Sequence, residues 1–276
     1  MTTQPTIPFN DGRAIPQVGL GVWQTPDDGA VTAVSAALKA GYRHVDTAAA
    51  YKNERGVGEG LRQAGVPRGE VFVTTKLWNE EQGFDRTLRA FDASLEQLGL
   101  DHVDLYLIHW PSPARDLYVD TWRAFVRLKE EGRARSIGVS NFTAEHLDRL
   151  ADETGVTPAI NQIELHPRFQ QRALRDAHAK RGIVTQSWSP LGQGQLLEDP
   201  VVAGIAQKHG RTPAQVVIRW HLDNGLVVIP KSVTPSRITE NFDVFGFALD
   251  ADDLAAIARL DTGDGRIGPD PMTATF

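Results

Sequence analysis

The chain is constrained above all by a rhythm. From Gly19 onward, short apolar stretches with strand character alternate with stretches whose apolar residues recur at helical spacing, about eight times at intervals of roughly 30 residues. Strands are expected at residues 18–23, 44–46, 71–76, 103–109, 135–140, 159–164, 183–188 and 225–230. Helices are expected at 29–40, 53–64, 118–130, 144–152, 172–180, 236–243 and 252–260, with one or two more between 200 and 222. Another carries Leu88, Phe91, Leu95 and Leu98 on one side. Punctuation agrees: Asp27 or Asp28 caps the first helix, Gly41 stops it, Thr143 caps the helix from 144, and Gly132 ends the one before. Residues 6–15 read as a hairpin, because two short apolar runs flank the turn residues Asn10, Asp11 and Gly12.

Eight strand–helix units without a break in composition fit one α/β domain over residues 1–276. The architecture expected is a (β/α)8 TIM barrel with an N-terminal β-hairpin and extra helices near the C-terminus. The rival is an open doubly wound sheet, which would carry a glycine fingerprint directly after its first strand. Gly56, Gly58 and Gly60 do not follow a strand directly, so they read as helix packing.

A barrel places its working groups at the carboxyl ends of its strands. Asp46 closes the second strand, and Tyr51 lies in the small-residue loop after it. Lys76 closes the third strand and His109 the fourth. Singly, Asp46 reads as well as a turn cap, Tyr51 as an interfacial phenol and His109 as a core histidine. Lys76 is harder to dismiss, because a lysine closing an apolar strand needs a partner. Together the four groups suggest proton delivery. A free phenol titrates near 10, and a neighbouring ammonium favours its phenolate. In this reading Asp46 holds Lys76 charged and His109 orients a substrate oxygen. Protonating a carbonyl oxygen in this way requires a hydride donor.

The set Asp46, Tyr51, Lys76 and His109, in its setting from Gly41 to Ala48, resembles the aldo-keto reductase family. The likeness extends through Thr75-Lys76-Leu77-Trp78, Gly138-Val139-Ser140-Asn141-Phe142, Asn161-Gln162-Ile163-Glu164-Leu165-His166-Pro167 and Ile229-Pro230-Lys231-Ser232. It runs from the hairpin to about Gly265. The stretch from Ser187 to Gly194 is most similar to the bacterial 2,5-diketo-D-gluconic acid reductase group. The resemblance implies NADPH-dependent reduction of aldehydes, ketones or dicarbonyls to alcohols, with Tyr51 as general acid. It implies that Ser140, Asn141 and Gln162 bond the carboxamide of the cofactor and that Trp188 stacks on its nicotinamide. Leu191, Gly192 and Gln193 would lie near the pyrophosphate. Lys231, Ser232, Val233 and Arg237 would grip the 2′-phosphate, a task suited to a guanidinium fork and an ammonium. Glu240 and Asn241 would meet the adenine.

The substrate would be a small-molecule carbonyl compound held by Trp23, Ala50, Trp78 and Trp110, with one of the three tryptophans structural. Short segments at 111–116 and after Leu260 suggest an open site and broad tolerance. Lys52 stands where those bacterial relatives often carry glycine; it would bias the site toward anionic or dicarbonyl substrates or face water.

Three other readings are weaker. A short-chain dehydrogenase wants lysine four residues after the tyrosine, and Arg55 stands there. A non-catalytic NADPH-binding regulatory barrel has no need of all four strand-end groups. No metal is expected: the eight histidines form no H-x-x-x-H or H-E-x-x-H pattern and there is no cysteine. The absence of cysteine also excludes disulfides and thiol nucleophiles.

A net charge of −6 argues against nucleic-acid or anionic-membrane partners. No apolar run approaches a membrane span, and Met1 to Asn10 is too polar for a leader, so the expectation is a cytoplasmic protein, working as a monomer.

Overall fold

The computed structural model describes residues 4–274, so part of the leader reading and the ends of the 1–276 domain lie outside the described residues. The hairpin comes first, with β1 (Thr6–Pro8) antiparallel to β2 (Ala14–Pro16). Its turn closes through the Phe9 amide donating to the Arg13 carbonyl, with Gly12 at φ +84°. Phe9 and Ile15 are buried against Leu105, Leu107, Ile160 and Val227, so the hairpin plugs the lower end of the barrel.

Strands and helices then alternate. β3 (Leu20–Gly21) leads to α1 (Asp27–Ala40), β4 (His44–Asp46) to α2 (Glu54–Ala64), and β5 (Phe72–Leu77) to α3 (Phe84–Leu98). β6 (Val103–Ile108) leads to α4 (Tyr118–Glu130), β7 (Ala134–Ser140) to α5 (Ala144–Thr154), and β8 (Ile160–Glu164) to α6 (Arg172–Lys180). β9 (Val184–Trp188) is followed by two helices, α7 (Pro200–His209) and α8 (Pro213–Asp223). β10 (Val227–Val228), α9 (Pro235–Phe242) and α10 (Ala251–Ala258) complete the order. Strands β3 to β10 pair in sequence order, all parallel. Parallel bridges from Val18 to Val228 and from Gly21 to Lys231 close the sheet on itself. This is the expected (β/α)8 barrel with its hairpin and extra helices.

The pleat sorts side chains into two layers. On β6, Leu105 and Leu107 point to the barrel interior, while Tyr106 and Ile108 join the core beneath the helices. On β5, Phe72 joins the interior cluster and Val73 and Leu77 face the helices. This alternation is what lets Lys76 be an inward residue of an otherwise apolar strand.

Several sequence readings are corrected. The alternation of a strand running on from Gly41 would put Tyr42 on one face with His44 and Asp46, but Tyr42 does not share that face. Helix α1 ends in a Schellman-type cap, Gly41 at φ +111° and the Tyr42 amide bonded to the Ala37 carbonyl, so the pleat starts only at His44. Tyr42 packs outward on Phe242, ring centroids 4.4 Å apart, and its hydroxyl donates to the Ile238 carbonyl.

Neither Asp27 nor Asp28 caps α1. Asp27 reaches across to α2 instead, accepting from the Gly56 amide at 2.6 Å and pairing with Arg55. The glycine stripe makes that reach possible. A Cβ on Gly56 would lie 1.8 Å from the Asp27 carbonyl oxygen, and one on Gly58 would lie 2.1 Å from that of Leu98. The stripe is indeed helix packing.

The strands expected at 18–23 and 225–230 are only two residues long, β3 and β10. Pro230 has no N–H for the ladder, and Gly19 and Gly21 sit against the His44 ring and the Ile229 carbonyl with no room for a Cβ. Thr143 does cap α5, its side chain accepting from the His146 amide.

Candidate active site

The carboxyl ends of β4, β5 and β6 converge on one buried cluster. Lys76, with no exposed surface, donates to Asp46 Oδ1 at 2.5 Å and to the Thr47 carbonyl at 2.8 Å. Its Nζ lies 3.4 Å from the Tyr51 hydroxyl. The second carboxylate oxygen of Asp46 accepts from Gln162 Nε2 at 2.7 Å. His109 stands across the pocket with its ring edge-on to Tyr51 at 5.6 Å and to Trp78 at 5.3 Å.

Burial acts to lower the Lys76 ammonium, but Asp46 and then Tyr51 outweigh it and hold Lys76 above the ordinary lysine value. Burial pushes the Asp46 carboxyl up, against Lys76 and Gln162, which pull it down. Burial, and then the charge of Lys76, hold His109 well below the usual histidine value, so its ring is neutral at pH 7. Tyr51 departs from expectation. Lys76 does pull its phenol down, but burial pushes harder and leaves it above the ordinary tyrosine value.

Two supports were missed in the sequence. Asn53, buried at the start of α2, accepts from Thr47 Oγ1 at 2.7 Å and donates to the carbonyls of Val22 and Thr25, both at 2.9 Å. It ties the loops after β3 and β4 together around Tyr51. Glu54 is buried behind Lys76, taking hydrogen bonds from Thr75 at 2.5 Å and Ser94 at 3.2 Å. The visible signal was weak: a polar pair just after the tyrosine, at a helix start where polar residues are common.

The ends of β7, β8 and β9 carry the next group. Ser140 Oγ donates to the Gln162 carbonyl at 2.8 Å. Asn141, at φ +64°, donates from Nδ2 to the His109 carbonyl and to Ser140 Oγ. Its Oδ1 accepts from Trp188 Nε1 at 2.8 Å, which fixes one end of a half-buried indole. Gln162 Nε2 gives its second bond to Gln186 Oε1 at 3.0 Å. Leu191, Gly192 and Gln193 follow β9 in a tight turn, with Gly192 at φ +56° and Gln193 at +52°.

Beyond β10 the setting changes. Lys231 and Arg237 are exposed, and no ion pair reaches either among the described residues. Ser232 Oγ accepts from the Thr234 amide at 3.2 Å, and Val233 is 45% exposed. Glu240 accepts from Thr212 Oγ1 at 2.9 Å, and Asn241 is buried.

The aromatic residues split. Trp23 is 43% exposed at the mouth and Trp78 half-buried beside His109, but Trp110 is 7% exposed, its carbonyl taken by Gln82 Nε2. Trp110 is therefore the one fixed in the wall. Ala50 is half-buried next to Tyr51, and Lys52 is exposed. Among the described residues no cluster of histidine and carboxylate side chains could hold a metal ion, and no helix is long and apolar enough to cross a membrane.

The sequence between residues 17 and 262 matches the family model described as the aldo/keto reductase family. An aldo-keto reductase of Mycolicibacterium smegmatis is 61% identical over 272 residues, covering 99% of this chain and 98% of the relative. Methylglyoxal reductase DkgA of Escherichia coli K12 is 56% identical over 273 residues, 98% of each chain. The crystal structure of Gox0644 in its apo form superposes with a TM-score of 0.96 at 60% identity over the whole of both chains. A point variant of Gox0644 in complex with NADPH gives the same values. With the strand-end geometry and this likeness together, the chain belongs to the aldo/keto reductase family and is an oxidoreductase.

Proposed function

We propose that this barrel reduces small aldehydes, ketones and dicarbonyls to alcohols with NADPH, with methylglyoxal-like and 2,5-diketo-D-gluconate-like compounds as the substrate class. The observation that carries this reading is the buried Asp46–Lys76 pair set 3.4 Å beneath the Tyr51 hydroxyl. The reduced nicotinamide supplies the hydride that reaches the carbonyl carbon. Tyr51 then gives its proton to the carbonyl oxygen, and the Lys76 ammonium stabilises the phenolate left behind. A phenol raised by burial stays protonated and ready to donate until charge develops beside it. Asp46 keeps Lys76 charged and aimed. The neutral His109 ring carries one N–H, which it can offer to the substrate oxygen without competing as an acid.

The residues at the mouth fit the cofactor. Lys231 and Arg237 are exposed cations at one end with no ion pair among the described residues, suited to a 2′-phosphate, with Ser232 and Val233 between them. At the other end Asn141 and Gln162 have both amide hydrogens engaged within the protein. Gln162 Oε1, and the second lone pair of Asn141 Oδ1 beside its bond from Trp188, are the positions left to accept from a carboxamide NH2, with Ser140 bracing the pair. Trp188 offers a ring face for stacking, and the turn at Leu191, Gly192 and Gln193 allows close approach of the pyrophosphate. Glu240 and Asn241 would border the adenine, and Trp23, Ala50, Trp78 and Trp110 the substrate. We read residues 1–276 as one cytoplasmic, monomeric domain with no nucleic-acid partner, in keeping with its net charge of −6.

The test is NADPH oxidation by wild type and Tyr51→Phe with methylglyoxal and with 2,5-diketo-D-gluconate, alongside NADPH titration by tryptophan fluorescence. The variant should bind NADPH normally and lose about 10²- to 10⁴-fold in kcat. Binding by both proteins without turnover of any carbonyl would replace this reading with the regulatory barrel.

A further inference from the structure

Glu164 ends β8 at the rim, 1% exposed, with no lysine or arginine against its carboxylate among the described residues. It is held instead by three N–H donors: Ile267 N at 2.5 Å, Gly268 N at 2.8 Å and His166 Nε2 at 3.2 Å. Two of the three belong to the C-terminal segment, more than 100 residues away in sequence. Burial alone would raise this carboxyl, but the bonds from His166, Ile267 and Gly268 outweigh it and keep Glu164 below the ordinary glutamate value.

The same segment is fastened along the loop that follows β8. Asp261 accepts from the Gln170 amide at 2.9 Å, and the Thr262 amide donates to the Arg168 carbonyl at 3.1 Å. Gly265 lies so near that carbonyl that a Cβ would be 1.9 Å from its oxygen, and the Arg266 guanidinium sits 4.8 Å from the Phe169 ring centroid. Gly268, where this line ends, is pressed on the indole of Trp188: a Cβ there would stand 2.5 Å from Cη2 and 3.0 Å from Glu164 Oε2. Trp188 is thus fixed at its Nε1 by Asn141 and stopped at its far edge by Gly268.

We propose that Glu164 and Gly268 are positioning residues for the cofactor. The carboxylate clamps the C-terminal segment so that Gly268 sets the tilt of the Trp188 ring on which the nicotinamide rests. This rests on the reading of Trp188 as the stacking residue. A segment stitched down only for stability would not need to end edge-on against that one indole with a glycine. The clamp acts before cofactor arrives, because all of its bonds are made within the protein. It should therefore change how tightly NADPH is held more than how fast the bound complex reacts.

Five variants and three measurements test it. Hydrogen–deuterium exchange on the protein without cofactor should show the Ile267 and Gly268 amides protected in wild type and released in Glu164→Gln. NADPH titration by tryptophan fluorescence should give a Kd raised about tenfold in Gly268→Ala and in Glu164→Gln, with kcat at saturating NADPH within about threefold of wild type. In Trp188→Phe the smaller ring leaves room for the added methyl, so Gly268→Ala introduced there should cost less than about twofold. Unprotected amides in wild type would overturn the clamp. So would an NADPH Kd unchanged by Gly268→Ala, or an equal cost in the Trp188→Phe background. If Trp188→Ala itself leaves NADPH affinity intact, the stacking assignment fails and the clamp falls with it. If Trp188→Ala weakens binding while Gly268→Ala and Glu164→Gln do not, only the clamp is wrong.

Discussion

On the β4–β6 side of the mouth, Asp46 and Lys76 are buried and spend their charges on each other, whereas on the β10–α9 side Lys231 and Arg237 stand exposed with no carboxylate partner among the described residues. The two regions both lie at or beyond the carboxyl ends of the strands and are built on opposite terms. Proton transfer requires donors fixed to a fraction of an ångström, and only a packed, low-dielectric setting makes an ammonium beside a phenol count strongly. Capture of a phosphate requires mobile cations that keep their charge free until the ligand arrives, and solvent exposure costs them little. Rigidity belongs where bonds change, and open charge where the ligand is merely held.

Substitutions on the two sides should therefore fail differently. Lys76→Met leaves Asp46 as an uncompensated buried charge, and should cost roughly 3–5 kcal/mol of stability together with activity. Adding Asp46→Asn should recover much of the melting temperature and none of the turnover. A Lys76→Met protein that melts like wild type would break the contrast. Arg237→Ala, on the open side, should leave melting unaltered and weaken NADPH by roughly 10- to 100-fold, the worth of one to two charge-assisted bonds, while NADH affinity changes less than about twofold. Equal losses for the two cofactors would remove Arg237 from the 2′-phosphate.

Acid sharpens the comparison on the packed side. His178 on α6 is buried and neutral, its Nε2 accepting from Asn161 Nδ2 and its Nδ1 bonded to Thr185 Oγ1, both at 2.9 Å. Burial, then Arg181, lower it to about 4. A base with a lowered folded value binds more protons unfolded than folded, so its contribution to stability is full above pH ~6.5 and is lost as pH falls toward 4. That loss amounts to about 1.4 kcal/mol for each pH unit in this window. His44 and His221, each lowered to about 3 chiefly by burial, add to it. Melting scans between pH 7 and 4 should therefore fall steeply for wild type and less steeply for His178→Gln. Parallel curves would show that His178 does not carry this dependence.

Much of this was legible in advance because it repeats or alternates. The eight-fold rhythm gave the barrel, and the carboxyl ends of its strands gave Asp46, Lys76 and His109. What escaped depends on partners remote in sequence. Asp27 looked like a cap because nothing near it shows that Gly56 approaches from another helix. Asn53, Glu54 and Glu164 looked like ordinary polar residues because their partners lie on other strands and loops. Trp23, Trp78 and Trp110 were indistinguishable as letters and separate only by burial. Tyr51 erred in sign, since the sequence shows the cation but not the desolvation opposing it.

The barrel's closure has a consequence of its own. The two-residue strands β3 and β10 each meet their sequence neighbour over two rungs, and the wall closes between them only through the isolated bridges Val18–Val228 and Gly21–Lys231. Three backbone hydrogen bonds cross that seam, from the amides of Gly19, Gly21 and Val228, against four and five paired rungs at β5–β6 and β6–β7, so it should part before that arc under tension or in a sub-global opening. Pulled from its ends, the molecule should yield there before the β5–β6–β7 arc does. Lys231 lies on that line, so a dinucleotide held at the seam would staple the first strand to the last.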